Sequence, residues 1–179
     1  MRISRRDACL GLLGGVAAAL SPASAWAISL PRVRRLALHH VHTGERLAAV
    51  YFERGRYVAP ALDEFNHLLR DWRTGEVRPI EPRLLDLLVA LRGRLHSDRP
   101  LEIICGYRCP ATNRMLQQRG GGGVATRSLH LVGRAIDLRV PGRPLARVRE
   151  AALGLRAGGV GYYPDLDFVH VDTGRVRFW

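Results

Sequence analysis

Three side chains of the sequence have the types and the spacing of a metal site. His130 precedes a glycine turn, and Asp137 follows seven residues later in an alternating, strand-like segment. His170 lies far downstream, with Asp167 three residues before it and Asp172 two residues after it. A glycine turn lets the chain fold back, so a ring nitrogen and a carboxylate can converge on one ion. Two histidines and one carboxylate, with a fourth position open to water, form a common catalytic zinc site.

Spacing alone leaves a simpler interpretation of the same residues open. Single His and Asp side chains on strands are more often hydrogen-bonded structural groups than metal ligands. Two histidines and a carboxylate also bind several divalent ions, so the ligand types do not select zinc alone. The other histidines are assigned to the surface or to a hairpin and are not predicted to be ligands: His39, His40, His42, His67 and His96.

Periodicity predicts the elements that position these side chains. Strands are predicted where apolar and polar residues alternate or where a short apolar run occurs: residues 35–41, 46–52, 101–105, 134–140, 160–163 and 168–171. Helices are predicted where apolar residues recur at helical spacing: residues 61–72, 82–95, 110–119 and 145–157. The turn at 42–45 joins the first two strands as a hairpin. The elements predict one α+β domain with a central, mainly antiparallel sheet flanked by helices.

Length and composition suit one globular domain and argue against a nucleic-acid partner. The chain has 179 residues, of which 47% are hydrophobic and 25% charged, as in ordinary globular proteins. Its net charge of +12 comes from arginine alone, because the sequence contains no lysine. Such a charge indicates an anionic partner. A protein that binds nucleic acid would concentrate its cations on one surface or helix. These arginines are scattered along the chain, so we predict no nucleic-acid partner.

The first 27 residues have the order of an export signal. Residues 4–10 contain the twin-arginine pattern, a Gly/Ala-rich apolar run reaches Leu20, and small-x-small cleavage sites lie within 23–27. The apolar run is too short to span a bilayer comfortably. We therefore predict a signal over 1–27, a domain over 28–179, export to the periplasm by the twin-arginine machinery, and no stable transmembrane segment after cleavage. A signal left uncut would instead anchor the protein.

Two cysteines remain after the predicted cleavage, Cys105 and Cys109. They could form a short-range disulfide in the oxidising periplasm. They could equally be small buried residues, since no Cys-x-x-Cys zinc clamp is present.

Four segments resemble one group of zinc proteins. Residues 128–137 (Ser-x-His-x-x-Gly-x-Ala-x-Asp) resemble the first metal motif of the D-Ala-D-Ala carboxypeptidase, lysostaphin and hedgehog group. Residues 106–108 (Gly-Tyr-Arg), with Asn113, resemble the Ser-Gly-Tyr-Arg-Ser segment of that group, and residues 157–163 and 168–174 complete the match. Within the group, the chain is most similar to the twin-arginine-exported murein endopeptidase K branch, over essentially its whole length.

The resemblance implies a fold and a role for each site residue. The fold would be the hedgehog/D-Ala-D-Ala-peptidase-like α+β fold, and one zinc ion would be held by His130, Asp137 and His170. Arg108 would face the substrate and stabilise the charge that develops on the carbonyl oxygen. Asp167 occupies the position at which several relatives have a general base.

Two features of the match leave alternatives open. Asp172 is a rival for the role of general base, or it orients His170 from behind. Relatives often have serine where this chain has Cys105 and Cys109.

The resemblance also implies a substrate and a reaction. A monomeric zinc endopeptidase would hydrolyse the peptide cross-links between peptidoglycan stem peptides during cell-wall remodelling. The stems carry free carboxylates, which suits a positively charged protein. Two alternatives remain: a carboxypeptidase that trims terminal D-Ala, and a non-catalytic zinc-containing module that binds peptidoglycan.

Overall fold

The computed structural model of the chain describes residues 30–119 and 124–179. The predicted export signal and the glycine run 120–123 lie outside these described residues. The described strands are β1 Arg34–His40, β2 Arg46–Glu53, β3 Arg56–Tyr57, β4 Leu101–Cys105, β5 Ala135–Arg139, β6 Gly159–Tyr163, β7 Phe168–Asp172 and β8 Arg177–Phe178. The described helices are α1 Ala59–Leu68, α2 Pro82–Arg94, α3 Pro110–Gln118 and α4 Leu145–Leu155.

The strands form one mixed sheet in the order β3-β2-β1-β4-β5-β7-β6-β8. Most neighbours are antiparallel, and the pairs β1–β4 and β6–β8 are parallel. The prediction of an α+β fold with a mainly antiparallel sheet is therefore confirmed.

Each predicted strand and helix is present, with differences at the ends that have local causes. Helix α1 ends at Leu68, four residues before its predicted end. Asp71 organises a turn there, because its carboxylate accepts the N–H groups of Arg73 at 3.0 Å and Cys109 at 2.9 Å. The two-residue strands β3 and β8 were not predicted, because two residues carry no periodicity.

One face of the sheet forms the core. Leu38, Ile103, Leu138 and Val169 are fully buried in it, together with the apolar side of α2. Helices α1, α2 and α4 contact the strands of this sheet. Side chains alternate between the two faces of a strand, so Asp137 and His170 point away from this core.

A buried carboxylate ties α2 to the β1–β3 edge of the sheet. The carboxylate of Asp86 accepts hydrogen bonds from Arg34 at 2.7 Å, Tyr51 at 2.9 Å and Tyr57 at 2.7 Å. These contacts give both carboxylate oxygens of Asp86 a hydrogen-bond partner.

His40 lies in the hairpin, as predicted, but it is a core residue. Its side chain is fully buried, on the same face of β1 as Leu36 and Leu38. Neither ring nitrogen of His40 has a hydrogen-bond partner among the described residues.

Residues 30–119 and 124–179 include no helix with the length and apolar character of a membrane span.

Candidate metal centre

Three short elements bring the predicted ligands together. His130 lies in a single 3₁₀ turn, Leu129–Val132, which Ser128 caps through the N–H of His130. The turn ends at Gly133, whose φ of 66° is a left-handed conformation that glycine adopts without strain. Asp137 on β5 and His170 on β7 are direct cross-strand partners. The turn and the strand pair thus direct all three side chains toward one point.

The distances between the ligand atoms fit a tetrahedral metal ion. His130 Nε2 lies 3.2 Å from Asp137 Oδ1 and 3.2 Å from His170 Nδ1, and the last two atoms are 2.8 Å apart. Zinc–ligand bonds of about 2.0–2.1 Å place neighbouring corners of a tetrahedron about 3.3–3.4 Å apart. The cluster is therefore close to the size that a bound zinc ion requires.

An acceptor behind each histidine orients its ring. His130 Nδ1 lies 2.7 Å from the Gly106 carbonyl oxygen, and His170 Nε2 lies 3.1 Å from Asp172 Oδ2. Each of these nitrogens donates to an oxygen in the neutral imidazole, so the other nitrogen of each ring presents a lone pair. The two nitrogen lone pairs and the carboxylate oxygen then face each other and repel. A cation bound between them would offset this electrostatic repulsion.

The pKa values of the cluster also show that it favours a positive charge on the ring nitrogens. Burial alone would lower the pKa of His130, but the carboxylate of Asp137 and the neighbouring Cys105 raise it to about 10. Burial would raise the pKa of Asp137, whereas His130 and His170 hold it well below its usual range. The site therefore holds Asp137 as a carboxylate and attracts a proton or a metal ion to the ring nitrogens.

Asp172 is a fully buried carboxylate with every lone pair in use. Besides His170, it accepts the N–H groups of Gly159 at 2.9 Å and Gly174 at 2.8 Å. Arg177 contacts both of its oxygens, at 2.7 and 3.2 Å. Burial would raise the pKa of Asp172, but these donors lower it well below its usual range.

Asp167 lies at the rim, away from the ligand atoms. It has a left-handed φ of 54° at the end of the turn between β6 and β7. Its carboxylate is 2.7 Å from Arg139 Nη1, and its side chain is 63% exposed. The side chain therefore reaches Arg139 at the surface and does not line the cavity beside the cluster.

Arg108 joins the cluster from the loop between β4 and α3. Its Nη2 lies 3.7 Å from Asp137 Oδ2 and 3.6 Å from the sulfur of Cys105, and its Nη1 lies 3.4 Å from Asn113 Oδ1. The Arg108 side chain is only 11% exposed. A nearly buried guanidinium next to a carboxylate provides a fixed positive charge beside the ligand atoms.

A cavity of about 400 Å³ opens beside the cluster. Aromatic rings form part of its wall, namely Tyr163, Phe168 and Trp179. Its lining also includes four arginines: Arg108, Arg119, Arg127 and Arg177. A cavity with this lining suits a ligand that carries both apolar groups and carboxylates.

Sequence reasoning missed the part of the site that the last residues of the chain build. Strand β8 pairs with β6 and places Arg177 against Asp172 and the ring of Trp179 5.3 Å from the ring of His170. The indole N–H of Trp179 donates to the Tyr163 hydroxyl at 2.7 Å. The only local signal was an Arg and a Trp in a short polar tail, and that pattern does not identify a pairing partner.

Cys105 and Cys109 are free thiols and are buried. Cys109 caps α3, where its sulfur accepts the Thr112 N–H at 3.4 Å. Cys105 lies next to His130 and Asp137, a position that its spacing in the sequence did not indicate.

The comparisons with known proteins agree with one another. Residues 29–179 match the family model described as "Peptidoglycan L,D-endopeptidase MepK". A protein of that name from Escherichia coli (strain K12) is 45% identical over 170 residues, which cover 93% of each chain. The "Probable peptidoglycan L,D-endopeptidase MepK" of Haemophilus influenzae is 41% identical over 171 residues, covering 93% of this chain and 91% of the relative.

Proposed function

The chain belongs to the peptidoglycan L,D-endopeptidase MepK family, and on that basis we propose that it hydrolyses L,D-peptide bonds in peptidoglycan cross-links. We further propose that His130, Asp137 and His170 hold one zinc ion for this reaction. The family is one of metallopeptidases, and the ligand types suit zinc. The observation that carries the proposal is the convergence of three ligand atoms within 3.2 Å, each histidine being oriented by an acceptor behind it.

A zinc ion held by these residues would supply Lewis acidity, which would polarise the scissile carbonyl and make water a stronger nucleophile near neutral pH. The protein supplies the surrounding charge. Arg108 stabilises the negative charge that develops on the carbonyl oxygen. Its nearly buried guanidinium lies 3.7 Å from the Asp137 carboxylate and therefore beside the ligand atoms. A fixed cation in a water-poor site does this without reorganising during the reaction.

The two candidate bases differ in their freedom to accept a proton. Asp172 already accepts from His170, Arg177 and two backbone N–H groups, so we assign it the role of positioning His170. Asp167 remains the candidate base, and it can act only when its ion pair with Arg139 opens and its carboxylate turns toward the cavity. Loss of activity in Asp167→Asn with unchanged zinc binding supports this role, and full activity in that variant excludes it.

Charge complementarity supports an anionic peptide as the substrate. Four arginines contribute to the lining of the cavity, and the whole chain carries a net charge of +12. Peptidoglycan stem peptides carry free carboxylates, which these side chains can pair with. The aromatic wall gives apolar surface to the rest of the peptide.

The substrate also bears on location. Peptidoglycan lies outside the cytoplasm, so we propose that residues 1–27 direct export by the twin-arginine machinery and that residues 28–179 act in the periplasm as a monomer. The signal has the pattern of such a leader. Secretion of a reporter fused to residues 1–27, and its loss on Arg5→Ala/Arg6→Ala, tests this route.

Digestion of purified sacculi tests the catalytic proposal. Wild type should release new amino groups, and both His130→Ala and chelation of the wild type should abolish the release. His67→Ala is the matched control, because its side chain is 64% exposed and lies outside the metal centre. A wild type that binds zinc and sacculi but releases no amines would instead be a binding module.

A further inference from the structure

The indole ring of Trp179 is held in one position beside His170. The backbone N–H of Trp179 donates to the Val160 carbonyl oxygen at 3.2 Å, which ties the residue to β6. The ring lies over Gly161, where a Cβ would come within 2.8 Å of three indole atoms. The guanidinium carbon of Arg177 lies 5.0 Å from the ring centroid, and the ring of His170 is 5.3 Å away. The absence of a side chain at Gly161 therefore makes room for the indole at the metal centre.

Strand β6 also presents Tyr163 to the cavity. In the β6–β7 pair, Gly161 lies opposite His170, and Tyr163 lies opposite Phe168. Residues two apart share one face of a strand, so Tyr163 is on the face that carries the metal ligands. Its ring stacks on the ring of Phe168, with the two centroids 4.6 Å apart. This stacking fixes the Tyr163 ring in the wall of the cavity.

The hydrogen bond between Trp179 and Tyr163 leaves the hydroxyl proton directed elsewhere. An indole nitrogen can only donate, so the Tyr163 oxygen, 2.7 Å away, is the acceptor. The proton of that hydroxyl then needs a different acceptor. Among residues 30–119 and 124–179, the hydrogen bond from Trp179 is the only one that this hydroxyl makes. Both side chains line the cavity, so the hydroxyl is an oriented donor that a bound ligand can use.

We propose that Tyr163 binds the substrate by donating a hydrogen bond to a peptide carbonyl oxygen, and that Trp179 orients this donor. The inference deepens the proposed function and rests on it in one respect, namely that the cavity binds a peptide. A carbonyl is the acceptor that fits, because the wall beside the hydroxyl is aromatic and burying a carboxylate against it would cost more free energy. The arginines of the cavity remain available for the carboxylates of the peptide.

Tyr162 provides the matched control for this proposal. It precedes Tyr163 on the same strand but lies opposite Val169 and packs against the core on the other face of the sheet. Tyr162→Phe therefore removes a hydroxyl that does not line the cavity. Tyr163→Phe keeps the stacked ring and removes the donor, and Trp179→Phe keeps a ring but removes the N–H that orients the hydroxyl. Because the bond between Trp179 and Tyr163 is exposed, all three variants should fold with wild-type thermal stability.

Steady-state kinetics of the zinc-loaded chain on a soluble L,D-cross-linked muropeptide dimer is the first test. Tyr163→Phe should raise KM by about threefold to tenfold, the effect of one neutral hydrogen bond, and leave kcat within about twofold of wild type. Trp179→Phe should raise KM in the wild-type background and have no further effect in the Tyr163→Phe background, because the two residues act through one hydroxyl. Tyr162→Phe should keep the wild-type KM.

Titration calorimetry of the same dimer with the metal-free full chain measures binding without turnover and separates this inference from the proposed function. Tyr163→Phe should weaken binding by the factor by which it raises KM. A wild-type affinity in Tyr163→Phe, or a lower kcat at unchanged KM, overturns the role of Tyr163 as a binding donor. Additive effects of the two substitutions overturn the orienting role of Trp179. A wild type that binds the dimer through Tyr163 but does not cleave it overturns the proposed function alone, and one that neither binds nor cleaves it overturns both.

Discussion

At the residue scale, the candidate centre depends on the atoms behind the ligands as much as on the ligands. The Gly106 carbonyl holds His130, and Asp172 holds His170. The ligand types were predictable from the sequence because His and Asp at those positions matched a known motif. The supporting atoms were not predictable, because a backbone carbonyl carries no side-chain signal and Arg177 meets Asp172 only through the pairing of β8.

We predict that Asp172→Asn lowers zinc affinity by about 10-fold to 100-fold, as loss of an orienting partner does. The amide removes the negative charge that holds His170 and leaves Arg177 without a full partner. A chelator competition measures the effect. Asp86→Asn is the matched control, since it also removes a buried carboxylate but lies away from the ligands. Equal zinc affinities for Asp172→Asn and Asp86→Asn contradict the positioning role.

We predict that Arg108→Met lowers kcat by about 100-fold to 1,000-fold, the usual effect of removing a donor that stabilises the developing charge. Zinc should still bind, because the ligand atoms are retained. Steady-state kinetics on a soluble cross-linked muropeptide gives kcat. Arg114→Met, an exposed position on α3, serves as control. An unchanged kcat with a raised KM would show that Arg108 only binds substrate.

At the element scale, the long elements were predictable and the short irregular ones were not. Periodicity identified the hairpin, the four helices and the strands that carry Asp137 and His170. It missed β3 and β8 because two residues have no period, and it missed the bulge in β4 because alternation assumes regular pairing. Those irregular features place Cys105, Arg177 and Trp179 at the site.

The turn that carries His130 yields a prediction about Gly133. A Cβ at this position would collide with the Pro79 carbonyl oxygen, and its φ is left-handed. Gly133→Ala should therefore destabilise the fold by more than about 2 kcal/mol and weaken zinc binding, because His130 moves with the turn. Denaturant unfolding and chelator competition measure the two effects.

Gly142→Ala is the control for the backbone conformation alone. Gly142 also has a left-handed φ, but the nearest atom to its Cβ would be 3.8 Å away. The Gly142→Ala variant should be less stable than wild type by about 1–2 kcal/mol and keep the wild-type zinc affinity. Equal losses of zinc affinity in both variants would contradict the proposed role of the turn.

The buried His40 in the hairpin predicts that the stability of the fold depends on pH. Burial, with His42 and then Arg70 and His39 contributing, lowers the pKa of His40 to about 4, while Glu45 opposes the shift. The unfolded chain binds the proton near pH 6.5, so stability is full above that pH and falls as the pH drops toward 4. The free energy of unfolding decreases by about 3 kcal/mol over this range. Unfolding free energies measured across this range should show the slope.

The variant His40→Leu should flatten that part of the profile, and His67→Gln should leave it unchanged, because His67 is exposed. Profiles for wild type and His40→Leu that run parallel between pH 6.5 and 4 would show that another group causes the slope.

At the scale of the whole molecule, one sheet separates a core from a site. Helices stabilise one face, and the other face of β5 and β7 carries the ligands beside a cavity of about 400 Å³. The arginines that give the chain its net charge of +12 are scattered along the sequence. Composition predicted an anionic partner, but only the fold shows that four of the arginines contribute to one cavity.

We predict that binding to purified sacculi weakens as salt rises from about 0.05 M to about 0.5 M, because salt screens exposed charges. A pull-down assay measures the bound fraction. His130→Ala keeps the charge of the arginines and should show the same salt dependence while remaining inactive. Binding that does not change with salt contradicts electrostatic capture of the substrate.

The most direct test of the central claim is mass spectrometry of muropeptides after digestion of cross-linked peptidoglycan. With zinc, the wild type should convert dimers joined by L,D-peptide bonds into monomers, chelation should stop the conversion, and added zinc should restore it. His130→Ala should leave the dimers intact. Loss of a terminal D-Ala alone, or intact dimers in the presence of zinc-loaded wild type, would contradict the assignment of a zinc-dependent L,D-endopeptidase.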